Sequence, residues 1–197
     1  MRKNCYVTKN RKATVSITSD PIDMDVLKKQ VIKLVGEPIA SKDDFLESLE
    51  VISYKSEALE PKPNCLVLIG TQPFSIAGEL TNAFVKICGG VLAQAKSDDK
   101  LSIEELLNLN IDQLVLWKPE KNLGKQVTRI EELFNNDPIL EQSFSKKLSI
   151  IDGEKVTANL DPKLALEVLC EILHPNEFDY GHKSEYWDVF ESMDLRI

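Results

Sequence analysis

Apolar positions fall into two patterns that alternate along the chain. Cys65 to Ile69 (CLVLI), Gln113 to Trp117 (QLVLW) and Leu148 to Ile151 (LSII) are short continuous apolar runs, as expected of strands covered on both faces of a parallel sheet. Elsewhere apolar residues recur at three and four. Met24, Leu27, Val31 and Leu34 predict a helix, with Ser19-Asp20-Pro21 as its cap and first turn and Gly36 with Pro38 as its stop. A second helix is predicted from Ser41, with Asp44 three residues on and Phe45, Leu49 and Ile52 as its stripe. Leu80, Phe84 and Ile87 mark a third, ended by Gly89-Gly90, and Ser102-Ile103-Glu104-Glu105 is a capping box that opens a short fourth, over before Asn110. A helix over 121–135 turns Val127, Ile130 and Phe134 inward; Asp161-Pro162 opens the last long one, with Leu164, Val168 and Ile172 spaced by four and His174-Pro175 as its end.

Weaker signals fill the rest. Thr14 to Thr18 (TVSIT) is β-branched and alternating, a short strand, and Val91 to Ala95 reads as another. Gly70 to Gly78 reads as a loop and Asp152-Gly153 as a turn, while the aromatic, acidic tail from Asn176 to Ile197 reads as an amphipathic helix around Tyr186, Val189, Phe190 and Met193. Strand and helix alternating from Cys65 to Leu173 give an α/β class with a mostly parallel sheet. The stiff Glu60-Pro61-Lys62-Pro63 connection divides the chain. Residues 1–60 are a basic arm, a strand and two helices, residues 61–178 the α/β lobe, and residues 179–197 the tail helix. No internal repeat or low-complexity stretch is present.

Composition narrows the function classes. The 197 residues are 43% hydrophobic, enough for a buried core, and 24 basic against 32 acidic residues give a net charge of −8, which disfavours nucleic acid as a partner. Met1 to Lys12 holds five of the basic residues and no acid. No apolar run approaches the roughly 18 residues of a membrane-spanning helix, and Met1 to Thr18 lacks the apolar stretch of a signal peptide. The expected compartment is therefore periplasmic or cell-surface if a signal was removed, and otherwise cytoplasmic. Cys5, Cys65, Cys88 and Cys170 lie far apart with no CxxC and no Cys/His pair at ligand spacing, so no metal site is expected. Cys65, Cys88 and Cys170 sit in apolar patterns and are expected to be buried free thiols; Cys5, in the basic arm, is expected to be exposed.

Catalytic chemistry finds little support. Neither Gly70 to Gly78 nor Gly89-Gly90 has the glycine spacing and Lys-Ser/Thr of a phosphate-binding loop, and no GxGxxG is present, so no cofactor is expected. Candidate bases are only His174, at a helix end, and His182, in the polar tail, both expected to be structural or solvated. Glu131-Glu132 and Asp98-Asp99 are carboxylate pairs of the kind found on solvated faces. An enzyme is the least supported reading.

Four stretches resemble the C-terminal lobe of the class III periplasmic binding proteins, which serve ABC importers of siderophores, haem and cobalamin. CLVLIGTQPFSIAGELTNAFVKICGG resembles the first strand of that lobe, a loop with Ala-Gly, and a helix ending in a double glycine. LSIEELLNLNIDQLVLW resembles its Ser-x-Glu-x-x-Leu helix followed by Asn, Asp and a buried strand. NNDPILEQSFSKKLSIIDGEKV resembles the short element after Asp-Pro that leads to a strand and a Gly-containing turn, and LDPKLALEVLCEILHPNEF resembles the closing helix that ends in Leu-His-Pro. The match runs from Cys65 to about Phe178. Only about 60 residues precede it, where the family has a whole first lobe.

The resemblance implies a three-layer, chelatase-like lobe that binds a metal chelate or a tetrapyrrole-like molecule without transforming it and docks on an ABC permease in the membrane. Glu104 matches the glutamate that docks onto an arginine pocket of the permease; the alternative is that it only complements the helix dipole. Cleft-facing candidates are the loops at strand carboxyl ends: Thr71, Gln72, Pro73 and Phe74 after the first strand, and Trp117 and Lys118 after the second. Trp117 would stack on a planar ligand or else cap the core, and Lys118 would pair with an anionic ligand or else be solvated. A homodimer would rebuild the second wall of a cleft. The alternative function is a cytoplasmic single-lobe protein-interaction module.

Overall fold

The three apolar runs lie side by side. The computed structural model describes residues 23–36, 42–93 and 100–190. In it, β1 (Asn64–Thr71) pairs in parallel with β5 (Gln113–Leu116), which pairs in parallel with β6 (Leu148–Ile151). The remaining strands are β2 (Phe74–Ile76), β3 (Val91–Leu92), β4 (Lys100–Leu101) and β7 (Trp187–Val189), and the helices are α1 (Met24–Val35), α2 (Lys42–Glu57), α3 (Glu79–Ile87), α4 (Ile103–Leu107), α5 (Leu123–Asn136), α6 (Pro138–Phe144) and α7 (Pro162–Leu173). Among the described residues the sheet runs β4-β2-β1-β5-β6-β7, with β3 parallel to the first residues of β1.

The strand pleat explains why the apolar runs are continuous, because successive side chains point to opposite faces. Cys65 and Val67 enter one core with Val115 and Ile151, covered by α1, α2, α3 and α7. Leu66 and Leu68 enter a second with Leu114, Leu116, Leu148 and Ile150, covered by α4, α5 and α6. The result is the expected three-layer α/β arrangement. Cys65, Cys88 and Cys170 are all buried, as expected; Cys5 and the Thr14 to Thr18 strand lie outside the described residues.

Several readings need correction. The sheet is mixed: β2 is antiparallel to β1, β4 to β2 and β7 to β6. Gly70 to Gly78 is a hairpin in place of a plain loop, since β1 runs on to Thr71 and returns as β2 around Gln72-Pro73, with a bulge between Leu68 and Gly70. Helix α1 is capped by Asp23, whose carboxylate accepts from the Asp25 and Val26 amides; the predicted cap and first turn at Ser19-Asp20-Pro21 lie outside the described residues. Helix α6 follows α5 directly, with Asp137 as its cap and Pro138 in its first turn.

The predicted tail helix is a strand as far as the described residues go. Trp187, Asp188 and Val189 pair with Ile151, Ile150 and Ser149 on the open edge of β6. Trp187 is buried in the first core and Phe190 in the second, so satisfying a sheet edge on both faces outweighs the helical spacing. Upstream of β7, Phe178, Tyr180 and His182 stack successively, and His182 Nε2 lies 3.0 Å from Glu167. Both histidines are structural in position, His174 at the end of α7 and His182 in this stack.

Candidate functional site

Ligands of open α/β sheets sit at the carboxyl ends of the strands, and here β1 and β5 end side by side, with the Trp117 amide donating to the Leu68 carbonyl at 2.8 Å. The chain then crosses residues 118–122 before entering α5. Asn122 caps that helix, its Oδ1 accepting from the Lys125 amide at 3.0 Å. Buried Gln126 holds the crossing from beneath. Its Oε1 accepts from the Lys118 amide at 3.0 Å, and its Nε2 donates to the carbonyls of Lys121 at 2.8 Å and Ile151 at 2.7 Å.

The turn after β6 braces the same crossing. The Gly153 amide donates to the Lys121 carbonyl at 2.9 Å and its carbonyl accepts from Glu120 at 3.1 Å. A Cβ on Gly153 would lie 2.0 Å from the Lys118 carbonyl oxygen, so only glycine permits this approach. Glu120 has φ +60°, a left-handed conformation uncommon outside glycine, held by these bonds.

The braced loop borders a cavity of about 250 Å³ lined by Thr71, Leu116, Lys118, Lys121, Lys125, Gln126 and Arg129. Four of these side chains are cationic, in a protein of net charge −8. Arg129 is tied to Glu132 at 2.8 Å and donates to Gln72 Oε1; Lys125 is tied to Glu154 at 3.3 Å, which holds the Glu154 carboxyl below its usual range. Lys118 and Lys121 are exposed and have no carboxylate partner among the described residues. The first turn of α5 carries no acid, so the positive end of the helix dipole adds to the lysines. The arrangement attracts and positions anions.

The predicted site residues divide. Thr71, Gln72 and Lys118 come together at this cavity. Pro73 sits exposed in the hairpin turn. Phe74 is buried in the second core, and Trp117 is 5% exposed in the first, its Nε1 donating to the Val156 carbonyl at 3.0 Å. Trp117 thus takes the core-capping position that was the alternative to stacking on a ligand, and Phe74 packs in the second core. Glu104 is exposed in the first turn of α4 beside the completed capping box, where Ser102 and Glu105 bond reciprocally. Sequence reasoning missed Lys121, Lys125 and Arg129; Lys125 and Arg129, four apart on one face of α5, were a readable signal, whereas Lys121 lies in the crossing before the helix. A larger cavity of about 420 Å³ opens at the other end of the sheet, beside Gln113 and Ser149; it borders the amino-terminal ends of β5 and β6, away from the strand carboxyl ends.

No family model matches the chain, and no curated protein is significantly similar to it in sequence. Solved structures do match. An ABC transporter substrate-binding protein from Listeria monocytogenes EGD-e is 17% identical with a TM-score of 0.58, over 78% of this chain and 64% of its own. IsdE of S. aureus, solved in complex with heme, is 18% identical with a TM-score of 0.54, over 77% and 65%. A periplasmic heme-binding protein from Pseudomonas aeruginosa is 17% identical with a TM-score of 0.58, over 86% and 66%. The chain thus spans just under two thirds of the length of each of these structures. With strands, covering helices and cavity in this arrangement, the chain has the fold of a class III substrate-binding protein lobe.

Proposed function

We propose that this protein is a solute-binding lobe that captures an anionic metal chelate, without transforming it, for an ABC importer. The observation that carries the reading is the cavity at the carboxyl ends of β1 and β5, with Lys118, Lys121, Lys125 and Arg129 converging on a braced loop. None of its lining residues is a histidine, tyrosine, methionine or cysteine, the side chains that ligate haem iron. The lobe would accordingly recognise the anionic periphery of a cargo whose metal is already saturated by its own chelator. Carboxylate- and catecholate-bearing ferric siderophores have that chemistry. A tetrapyrrole would need its axial ligand from elsewhere in the assembly, whether an opposing lobe or a second copy of this chain.

Exposed Glu104 supports docking on the importer, since its carboxylate has no partner among the described residues and stands on a turn fixed by the capping box. Of the described helices none is long and apolar enough to cross a membrane. Residence outside the cytoplasmic membrane belongs to the same proposal.

Thermal unfolding against ferric siderophores, haem and cobalamin tests it. A chelate at a hundred times its dissociation constant stabilises by about 2.7 kcal/mol, or roughly 5–11 °C in Tm for a chain of this size. The anionic ferric chelates are expected to give the shift and Lys118→Ala/Lys121→Ala to reduce it. No shift with any chelate, in a well-folded protein, would replace this reading with the protein-interaction module.

A further inference from the structure

We propose that Cys88 and Cys170 are joined by a disulfide in the mature protein. Their Sγ atoms lie 2.6 Å apart, much closer than the roughly 3.5–4.0 Å at which non-bonded heavy atoms of carbon size rest. The two residues are 82 positions apart in sequence, and both are fully buried.

The surrounding backbone fixes the approach. Cys88 terminates α3, its amide bonded to the Phe84 carbonyl at 2.9 Å. Gly89 follows with φ +80°, and a Cβ there would crowd Ser56 of α2 at 3.1 Å; a Cβ on Gly90 would lie 2.9 Å from Val85 and 3.1 Å from Leu173 of α7. The double glycine thus lets the end of α3 press onto α2 and α7, which brings Cys88 against Cys170. Among the described residues, Cys88 Sγ also donates to the Leu166 carbonyl at 3.5 Å. Cys65, also buried, has no such contact with another sulfur among the described residues, and burial pushes its pKa up to about 12.

Oxidation belongs to folding and not to the finished fold. Burial, followed by the neighbouring Cys88 sulfur, holds the Cys170 thiol well above its ordinary pKa, so the closed core offers no thiolate to an external oxidant. While the chain is still open, one cysteine thiolate attacks a disulfide oxidant and expels one thiol. The second cysteine resolves the mixed disulfide and expels the other. The two cysteines lose two protons and two electrons, and the oxidant ends as two thiols. The bond closes a loop that contains β5, α5 and β6 and pins α3 to α7, and it goes with an oxidising compartment. That last link deepens the extracytoplasmic part of the proposed function. The bond itself needs no ligand, so the two fail separately.

The test refolds the full chain from guanidinium with oxidised glutathione as the disulfide source, then alkylates it under denaturing conditions and maps its peptides by mass. The expected result is a linked pair containing Cys88 and Cys170, with Cys65 alkylated. Reduction should lower Tm by about 5–15 °C, and a Cys88→Ala/Cys170→Ala variant should be insensitive to reductant. Alkylation of both Cys88 and Cys170 after oxidised refolding, or a bridge from either to Cys5 or Cys65, would overturn the assignment. If the double variant does not fold, the peptide map of the unaltered chain still decides.

Discussion

Gln126 shows how one side chain can serve as the joint of a site. Its amide satisfies three backbone groups, at Lys118, Lys121 and Ile151, from a buried position. Removing it takes this partner from the Ile151 carbonyl and the Lys118 amide, while the Lys121 carbonyl keeps its bond from the Gly153 amide, at about 1–3 kcal/mol for a fully buried group and less where water reaches. Gln126→Ala should therefore lose about 2–3 kcal/mol in guanidinium unfolding, and its chelate affinity should fall further than that of a variant of equal stability altered elsewhere. Equal affinity in the two would show that the crossing keeps its shape without Gln126. His174 gives a second residue-scale expectation. Burial holds its pKa below the usual 6.5, and its Nε2 has no hydrogen-bond partner among the described residues. The unfolded chain therefore takes up the proton first, so stability is complete above about pH 7 and declines as pH falls through 6.5. The carboxyls of Glu105 and Glu154, lowered by bonds from Ser102 and Lys125, contribute stability that is lost only below about 4.5. Urea unfolding between pH 7.5 and 5 should show the first decline in the parent chain and a flatter profile in His174→Asn, with His182→Gln as the companion control for the other imidazole.

Elements differ in how much of them a sequence can show. The runs at β1, β5 and β6 were legible because both faces of each strand are buried, which erases alternation and leaves continuous apolar residues. The capping box at Ser102 and the Asp-Pro start of α7 were legible because capping chemistry is local. Helix α6 was legible only through the resemblance, as a short element after Asp-Pro, and the β2 hairpin was not, since it exists by pairing with β1. Strand β7 was misread because the residues that form it also fit a helical stripe, and only the free edge of β6 decides between them. Within the site, the strand carboxyl ends were found by rule, whereas the burial of Trp117 depends on Val156, 39 residues away. The capping box also yields a prediction. Ser102→Ala removes the acceptor for the Glu105 amide and a donor to its carboxylate, at a cost of about 0.5–2 kcal/mol. If Glu104 docks on a permease, Glu104→Ala should abolish stimulation of permease ATP hydrolysis while leaving chelate binding unchanged, and Ser102→Ala should weaken that stimulation in part. Full stimulation by Glu104→Ala would return Glu104 to the role of a dipole-complementing surface residue.

At the scale of the whole molecule, a chain of net charge −8 carries one concave cluster of four cations. The overall charge repels an anionic ligand at long range, and the cluster attracts it only within a distance comparable to the Debye length, about 10 Å at 0.1 M salt. Added salt screens both, but the attraction governs the bound state because the partners are then in contact. Affinity for an anionic ferric chelate should therefore fall as sodium chloride rises from 50 to 500 mM, by several-fold when two or more lysines contact the cargo. Replacing Lys118 and Lys121 by glutamine removes the two cations that have no carboxylate partner among the described residues, so the double variant should bind more weakly at 50 mM and show a flatter salt dependence. Lys125 and Arg129, already tied to Glu154 and Glu132, should contribute less, and Lys125→Gln alone should leave most of the slope. Fluorescence titration across the salt series measures all three chains. A salt-independent affinity in the parent protein would mean that the cargo is held by apolar or neutral contacts, and the anionic-chelate reading would fall even if binding itself were found.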